Sequence, residues 1–91
     1  MTSAYTVRVR GRVQGVFYRA SSADAARRFG VVGWVRNVDD GSVAMHIQGP
    51  SAAVDSMLAW TRQGPPGARV DGVEVAPAEV TSGIEGFEIR R

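Results

Sequence analysis

The sequence predicts an α+β fold of two layers, an antiparallel sheet with two helices packed on one of its faces. Three observations point there. Short stretches in which apolar and polar residues alternate, the signature of a strand with one buried face, recur along the chain. Two longer stretches between them carry apolar residues at helical spacing. The chain has 91 residues, enough for one modest core and too few for a second, so residues 1–91 are read as one domain.

The first strand lies in "YTVRVRGRV", where Tyr5, Val7 and Val9 alternate with Thr6, Arg8 and Arg10, and it is expected to stop near Gly11. A loop from Arg12 to Arg19 then feeds a helix. Ser21 with Asp24 three residues later resembles a capping box, "ADAARRF" is a good helix former, and Gly30 closes it. "VVGWVRNV" reads as the second strand, "DDGS" as a tight turn around Asp40 and Gly41, and "VAMHIQG" as the third strand with Val43, Met45 and Ile47 on one face. In "PSAAVDSMLAWTRQ" Val54, Met57 and Leu58 form a helical stripe bordered by Ala53 and Trp60, which "GPPG" ends. Val73 and Val75 supply a fourth strand, and Phe87 and Ile89 a short closing one. The order βαββαβ is that of a ferredoxin-like two-layer sandwich. Its free sheet face is expected to meet solvent and to carry Arg8, Arg10 and His46.

Composition narrows the chemistry. No apolar run approaches the roughly 20 residues needed to span a bilayer, and "MTSAYTVRVRG" lacks the pattern of a secretory signal, so a cytoplasmic protein is expected. The absence of cysteine excludes a disulfide framework, a thiolate nucleophile and cysteine-ligated metal. His46 is the single histidine, which argues against Ser-His catalysis and excludes a zinc site built from several imidazoles. All eleven basic residues are arginine, whose planar fork suits phosphate or carboxylate. Codon bias produces the same skew, so composition alone establishes no phosphate site.

The informative stretch is "GRVQGVFYRA", Gly11 to Ala20. A loop that bends sharply into a helix can aim consecutive backbone amides at one point, with the positive end of the helix dipole behind them, and such a nest wants an anion. Gly15 allows the bend and removes a Cβ that would obstruct a phosphate. Arg19 stands where its fork could take two phosphate oxygens. By itself this pattern also fits a plain strand-to-helix connection.

"GRVQGVFYR" followed by "GVVGWVRNVDDGSV" resembles the acylphosphatase family, whose signatures are a glycine-containing phosphate loop ending in arginine and a second-strand segment ending in asparagine. The likeness continues through "IQGPSAAVDSMLAW" and "GFEIRR". The resemblance implies hydrolysis of acyl phosphates to a carboxylate and inorganic phosphate without metal or cofactor. It makes Arg19 the phosphate-binding arginine and Asn37 the residue that orients the attacking water. The amides of Gly15, Val16, Phe17, Tyr18 and Arg19 would hold the remaining phosphate oxygens. Val16 and Phe17 are expected to anchor the loop in the core, and Tyr18 to serve packing. The implied partners are a small acyl phosphate and inorganic phosphate as product and inhibitor, with no nucleic acid and no membrane, and the chain is expected to be a monomer.

Few catalytic residues suffice for such a reaction. A carboxylate leaving group, with a conjugate-acid pKa of about 4 to 5, departs at neutral pH without a general acid. Phosphoryl transfer asks chiefly for positioning and for stabilisation of charge on the equatorial oxygens. An asparagine amide can hold a water in line. A catalytic role for His46 is not expected, and Asp39, Asp40 and Arg36 read as solvated charges at a hairpin end. Of the alternatives, an RNA-recognition module needs aromatic platforms on its central strands, and "SVAMHIQG" has none. A noncatalytic acylphosphatase-like binding domain would hydrolyse nothing. A loop that grips only phosphate need not read the acyl portion, so a broad substrate range is expected.

Overall fold

A computed structural model describes all 91 residues, Met1–Arg91. The elements are β1 (Thr2–Arg12), α1 (Tyr18–Phe29), β2 (Val32–Asn37), β3 (Val43–Pro50), α2 (Ser51–Gln63), β4 (Arg69–Pro77) and β5 (Phe87–Arg90). They form one five-stranded sheet in the order β4-β1-β3-β2-β5. No helix is long and apolar enough to cross a membrane.

The alternation read from the sequence sets the core. Val7, Val9, Val35, Val43, Met45 and Ile47 turn one face of the sheet toward Ala23, Ala26, Val54 and Met57 of the helices, and all are buried. Each of these valine, methionine and isoleucine side chains contributes about 1.5–3 kcal/mol through burial. Small alanines let α1 lie close to the sheet, while Tyr18 and Trp60 tie the helices together with ring centroids 5.3 Å apart. The Tyr18 hydroxyl donates to the Thr61 carbonyl at 2.8 Å, which satisfies its one polar group. Burial raises the Tyr18 phenol above its ordinary pKa. Tyr18 therefore packs, as expected, and fixes the start of α1 against α2.

Four expectations are corrected. β1 continues past Gly11, with a register shift against β4 between Arg10 and Gly11. Gly11 is needed there because a Cβ would come within 2.1 Å of the Arg69 carbonyl oxygen, so it permits a bulge instead of ending the strand. The helix starts at Tyr18 rather than Ser21, and no side chain caps it. Asp24 instead pairs loosely with Arg27, 3.7 Å away. The sheet is mixed, since β5 runs parallel to β2. A chain leaving β4 at one sheet edge must cross to the opposite edge to reach β5, and residues 78–86 make that crossing over the face expected to be open. His46 consequently lies buried, stacked near Trp34, with Nε2 2.8 Å from Gln48 Oε1. Gln48 in turn exchanges hydrogen bonds with the Thr81 backbone.

The topology also decides which ends meet. β1 and β2 flank β3 and both run antiparallel to it, and β5 runs parallel to β2. The C-terminal ends of β1, β2 and β5 therefore converge at one end of the sheet.

Candidate active site

At that end the loop after β1 enters α1 through two left-handed residues, Gly15 with φ 75° and Phe17 with φ 62°. A glycine reaches this region without strain; a Cβ on Gly15 would project into open space. Phe17 is the sole non-glycine residue with positive φ, a conformation worth roughly 1–3 kcal/mol of strain. The strain has a visible result. The backbone N–H groups of Gly15, Val16 and Phe17 have no hydrogen-bond partner within the chain, and those of Tyr18, Arg19 and Ala20 lie in the first turn of α1, which by geometry lacks intrahelical acceptors. The first bond of the turn is Ser21 N–H to the Phe17 carbonyl, 3.0 Å. No acidic side chain occupies this first turn, so the positive end of the helix is uncompensated.

A cavity of about 290 Å³ opens beside these amides, lined by Val13, Gly15, Phe17, Tyr18, Arg19, Ala20, Asn37 and Ile89. The structure thus brings together Gly15, Phe17, Tyr18, Arg19 and Asn37. Val16 is half-buried and packs on the core, as expected of an anchor. Phe17 does the opposite of its expected role: its ring is 83% exposed, because the left-handed backbone leads it away from the core. Arg19 has no acidic partner; its Nη1 donates to the Arg90 carbonyl at 3.0 Å, which fixes one prong of the fork and leaves the others free. The Oδ1 of Asn37 is buried without any hydrogen-bond partner, an arrangement that ordinarily costs about 1–3 kcal/mol.

Asn37 closes β2, and the turn after it is held from two sides. Gln14 Nε2 donates to the Val38 and Ser42 carbonyls at 2.7 and 2.9 Å, joining this turn to the loop. Asp40 accepts from the Ser42 N–H at 2.9 Å and from the Ser42 hydroxyl, and ion-pairs with Arg8 and Arg10 of β1. The Ser42 hydroxyl and amide, with Arg10 behind them, hold the Asp40 carboxyl at about 2, below its ordinary value. Asp40 is thus a brace for the hairpin and not merely a solvated charge.

Two larger concavities lie elsewhere, one of about 600 Å³ near Asp24, Arg28 and Trp60 and one of about 390 Å³ on the sheet face near Arg8, Trp34 and Arg36. Neither contains an orphaned buried acceptor. No three His, Asp or Glu side chains gather where they could share a metal ion.

The acylphosphatase family model matches residues 5–89. The chain belongs to the acylphosphatase family. An acylphosphatase of Haloquadratum walsbyi is 57% identical over 83 residues, 91% of this chain and 88% of that one. An acylphosphatase of Rubrobacter xylanophilus is 49% identical over 89 residues, 98% and 81%. The crystal structure of acylphosphatase from Bacillus subtilis superposes with a TM-score of 0.93 at 33% identity, covering all of both chains. Within this acylphosphatase fold, reading the residues alone missed Gln14, the Arg90 carbonyl and Ile89. Gln14 sits inside the quoted "RVQG", but its task is to bond carbonyls more than twenty residues away. The β5 contribution depends on a parallel strand that local periodicity cannot orient.

Proposed function

We propose that residues 1–91 act as one acylphosphatase domain that hydrolyses the carboxyl–phosphate bond of acyl phosphates. The phosphoryl oxygens rest on the free amides from Gly15 to Arg19 and on the unpaired prongs of the Arg19 fork. Asn37 Oδ1 accepts a hydrogen bond from a water aligned with the bond to be broken. The water oxygen bonds to phosphorus, the bond from phosphorus to the acyl oxygen breaks, and its electron pair leaves on the carboxylate. Both water protons stay with the new dihydrogen phosphate, which then loses one to solvent. No general acid is required, because the leaving carboxylate is a weak base. Preorganised amides and a guanidinium stabilise the charge on the equatorial oxygens.

The single observation that carries this reading is the buried, unpartnered Asn37 Oδ1 on the wall of a cavity whose other side is unbonded backbone amide. Such a group persists where a ligand or water completes it. The reading places the chain in the cytoplasm as a monomer that needs no metal or cofactor, with acyl phosphate as substrate and inorganic phosphate as product and competitive inhibitor, and with neither nucleic acid nor membrane as partner. Benzoyl phosphate hydrolysis in excess EDTA tests it. Turnover should be unchanged by the chelator and inhibited competitively by phosphate. A demand for added magnesium, or noncompetitive inhibition, would refute the mechanism, and a folded protein that turns nothing over would leave only a binding domain.

A further inference from the structure

We propose that Phe17 and Ile89 form an acyl subsite that favours acyl phosphates with aromatic or bulky apolar acyl groups; the inference rests on the proposed hydrolysis and narrows its substrate class. Five large apolar side chains are exposed in the whole chain, and two of them, Phe17 at 83% and Ile89 at 45%, line the one cavity that holds Arg19 and Asn37. Scattered exposed apolar residues are ordinary, but a pair flanking a polar cleft is how a ligand's apolar part is met. They come from distant parts of the chain, the loop and β5, and are brought together by the same crossing that places β5 parallel to β2.

The chemistry of the step directs the acyl group toward them. The amides and the Arg19 fork take the phosphoryl oxygens, and the water stands on the side of Asn37. In-line displacement then requires the acyl oxygen to leave on the opposite side, and the acyl chain extends to the mouth of the cavity. Val13 and Tyr18 are buried, so the apolar surface available to a ligand is the Phe17 ring and the Ile89 side chain, with only the small Ala20 methyl beside them. An aromatic acyl group gains contact with the Phe17 ring that an acetyl group is too small to make.

The test is the ratio of kcat/KM for benzoyl phosphate to that for acetyl phosphate, in which any effect on the shared phosphate cradle cancels. Phe17→Ala should lower the ratio about three- to tenfold, as expected for loss of one aromatic contact. Ile89→Ser should lower it about two- to fivefold by the same logic, and Phe17→Leu, which keeps apolar bulk, should stay within about twofold of the parent. An unchanged ratio in both Phe17→Ala and Ile89→Ser, with turnover of both substrates retained, would overturn the acyl subsite alone. Failure of the parent protein to hydrolyse either compound would overturn the proposed hydrolysis and the subsite with it.

Discussion

The two helices of this fold begin in opposite ways. Neither first turn carries an acidic side chain, so each has an uncompensated positive end, yet only one faces a cavity with free amides. α2 starts directly from β3 through Pro50 in an ordinary extended conformation. Its first N–H is taken by the Met1 carbonyl at 3.0 Å, and the Ser51 hydroxyl meets Ser3 and the same carbonyl. α1 starts from a left-handed Phe17 with no cap and keeps its amides unspent. A helix dipole is therefore not a site in itself; what distinguishes the two ends is that the unbonded amides of the α1 start are continued by those of a left-handed loop and face a cavity, whereas the first donor of α2 is taken and no cavity opens there.

The largest expected effect falls on the open end. Arg19→Ala removes charge-assisted hydrogen bonds worth about 1.5–3 kcal/mol each, so kcat/KM should fall on the order of 10³-fold and the phosphate inhibition constant should rise by at least tenfold. Arg19→Lys should recover little, because a point charge cannot replace a fork whose other prong is fixed on the Arg90 carbonyl. Normal phosphate binding by folded Arg19→Ala would remove the cradle from this end. Asn37→Ala comes next. Its kcat should drop about 100-fold or more while phosphate affinity stays within a few-fold, and near-parental turnover would dismiss the water-positioning role. Gln14→Ala leaves the Val38 and Ser42 carbonyls without their donor. It should lower stability by about 1–3 kcal/mol in urea unfolding and kcat by roughly tenfold, through a loosened Asn37. The smallest effect belongs to the sealed end. Ser51→Ala should lose about 0.5–1.5 kcal/mol of stability with kcat/KM within twofold of the parent, and a larger kinetic effect would blur the distinction between the two helices.

What could be read from residues alone follows from the range over which each feature is decided. Val7 and Val9 alternate with arginines, Val54 and Met57 lie one turn apart, and Gly30 with φ 80° ends α1; all are local, and the elements and their layers follow. Arg19 and Asn37 are singled out by the paired signatures, and the structure brings them to one cavity. The start of α1 is not legible locally, because Ser21 and Asp24 satisfy a capping pattern in a helix that begins at Tyr18 and has no side-chain cap at all: a capping oxygen would compete for the donors the loop keeps free. The burial of His46 and the exposure of Phe17 escape the residue pattern for another reason. Period-two patterning says which face a residue is on, but not that residues 78–86 will cover one face, nor that a phenylalanine will sit in a conformation that favours glycine.

The bond from Arg19 to the Arg90 carbonyl joins residues 71 positions apart. Closing so long a separation carries a chain-entropy cost that local helix formation never meets, and folds rich in such contacts form more slowly than helical bundles. α1 can form its turns early, but the fork of Arg19 acquires its fixed direction only when β5 docks beside β2. In refolding, catalytic competence would therefore lag helical signal and return only once β5 has paired with β2, which makes activity a clock for that pairing.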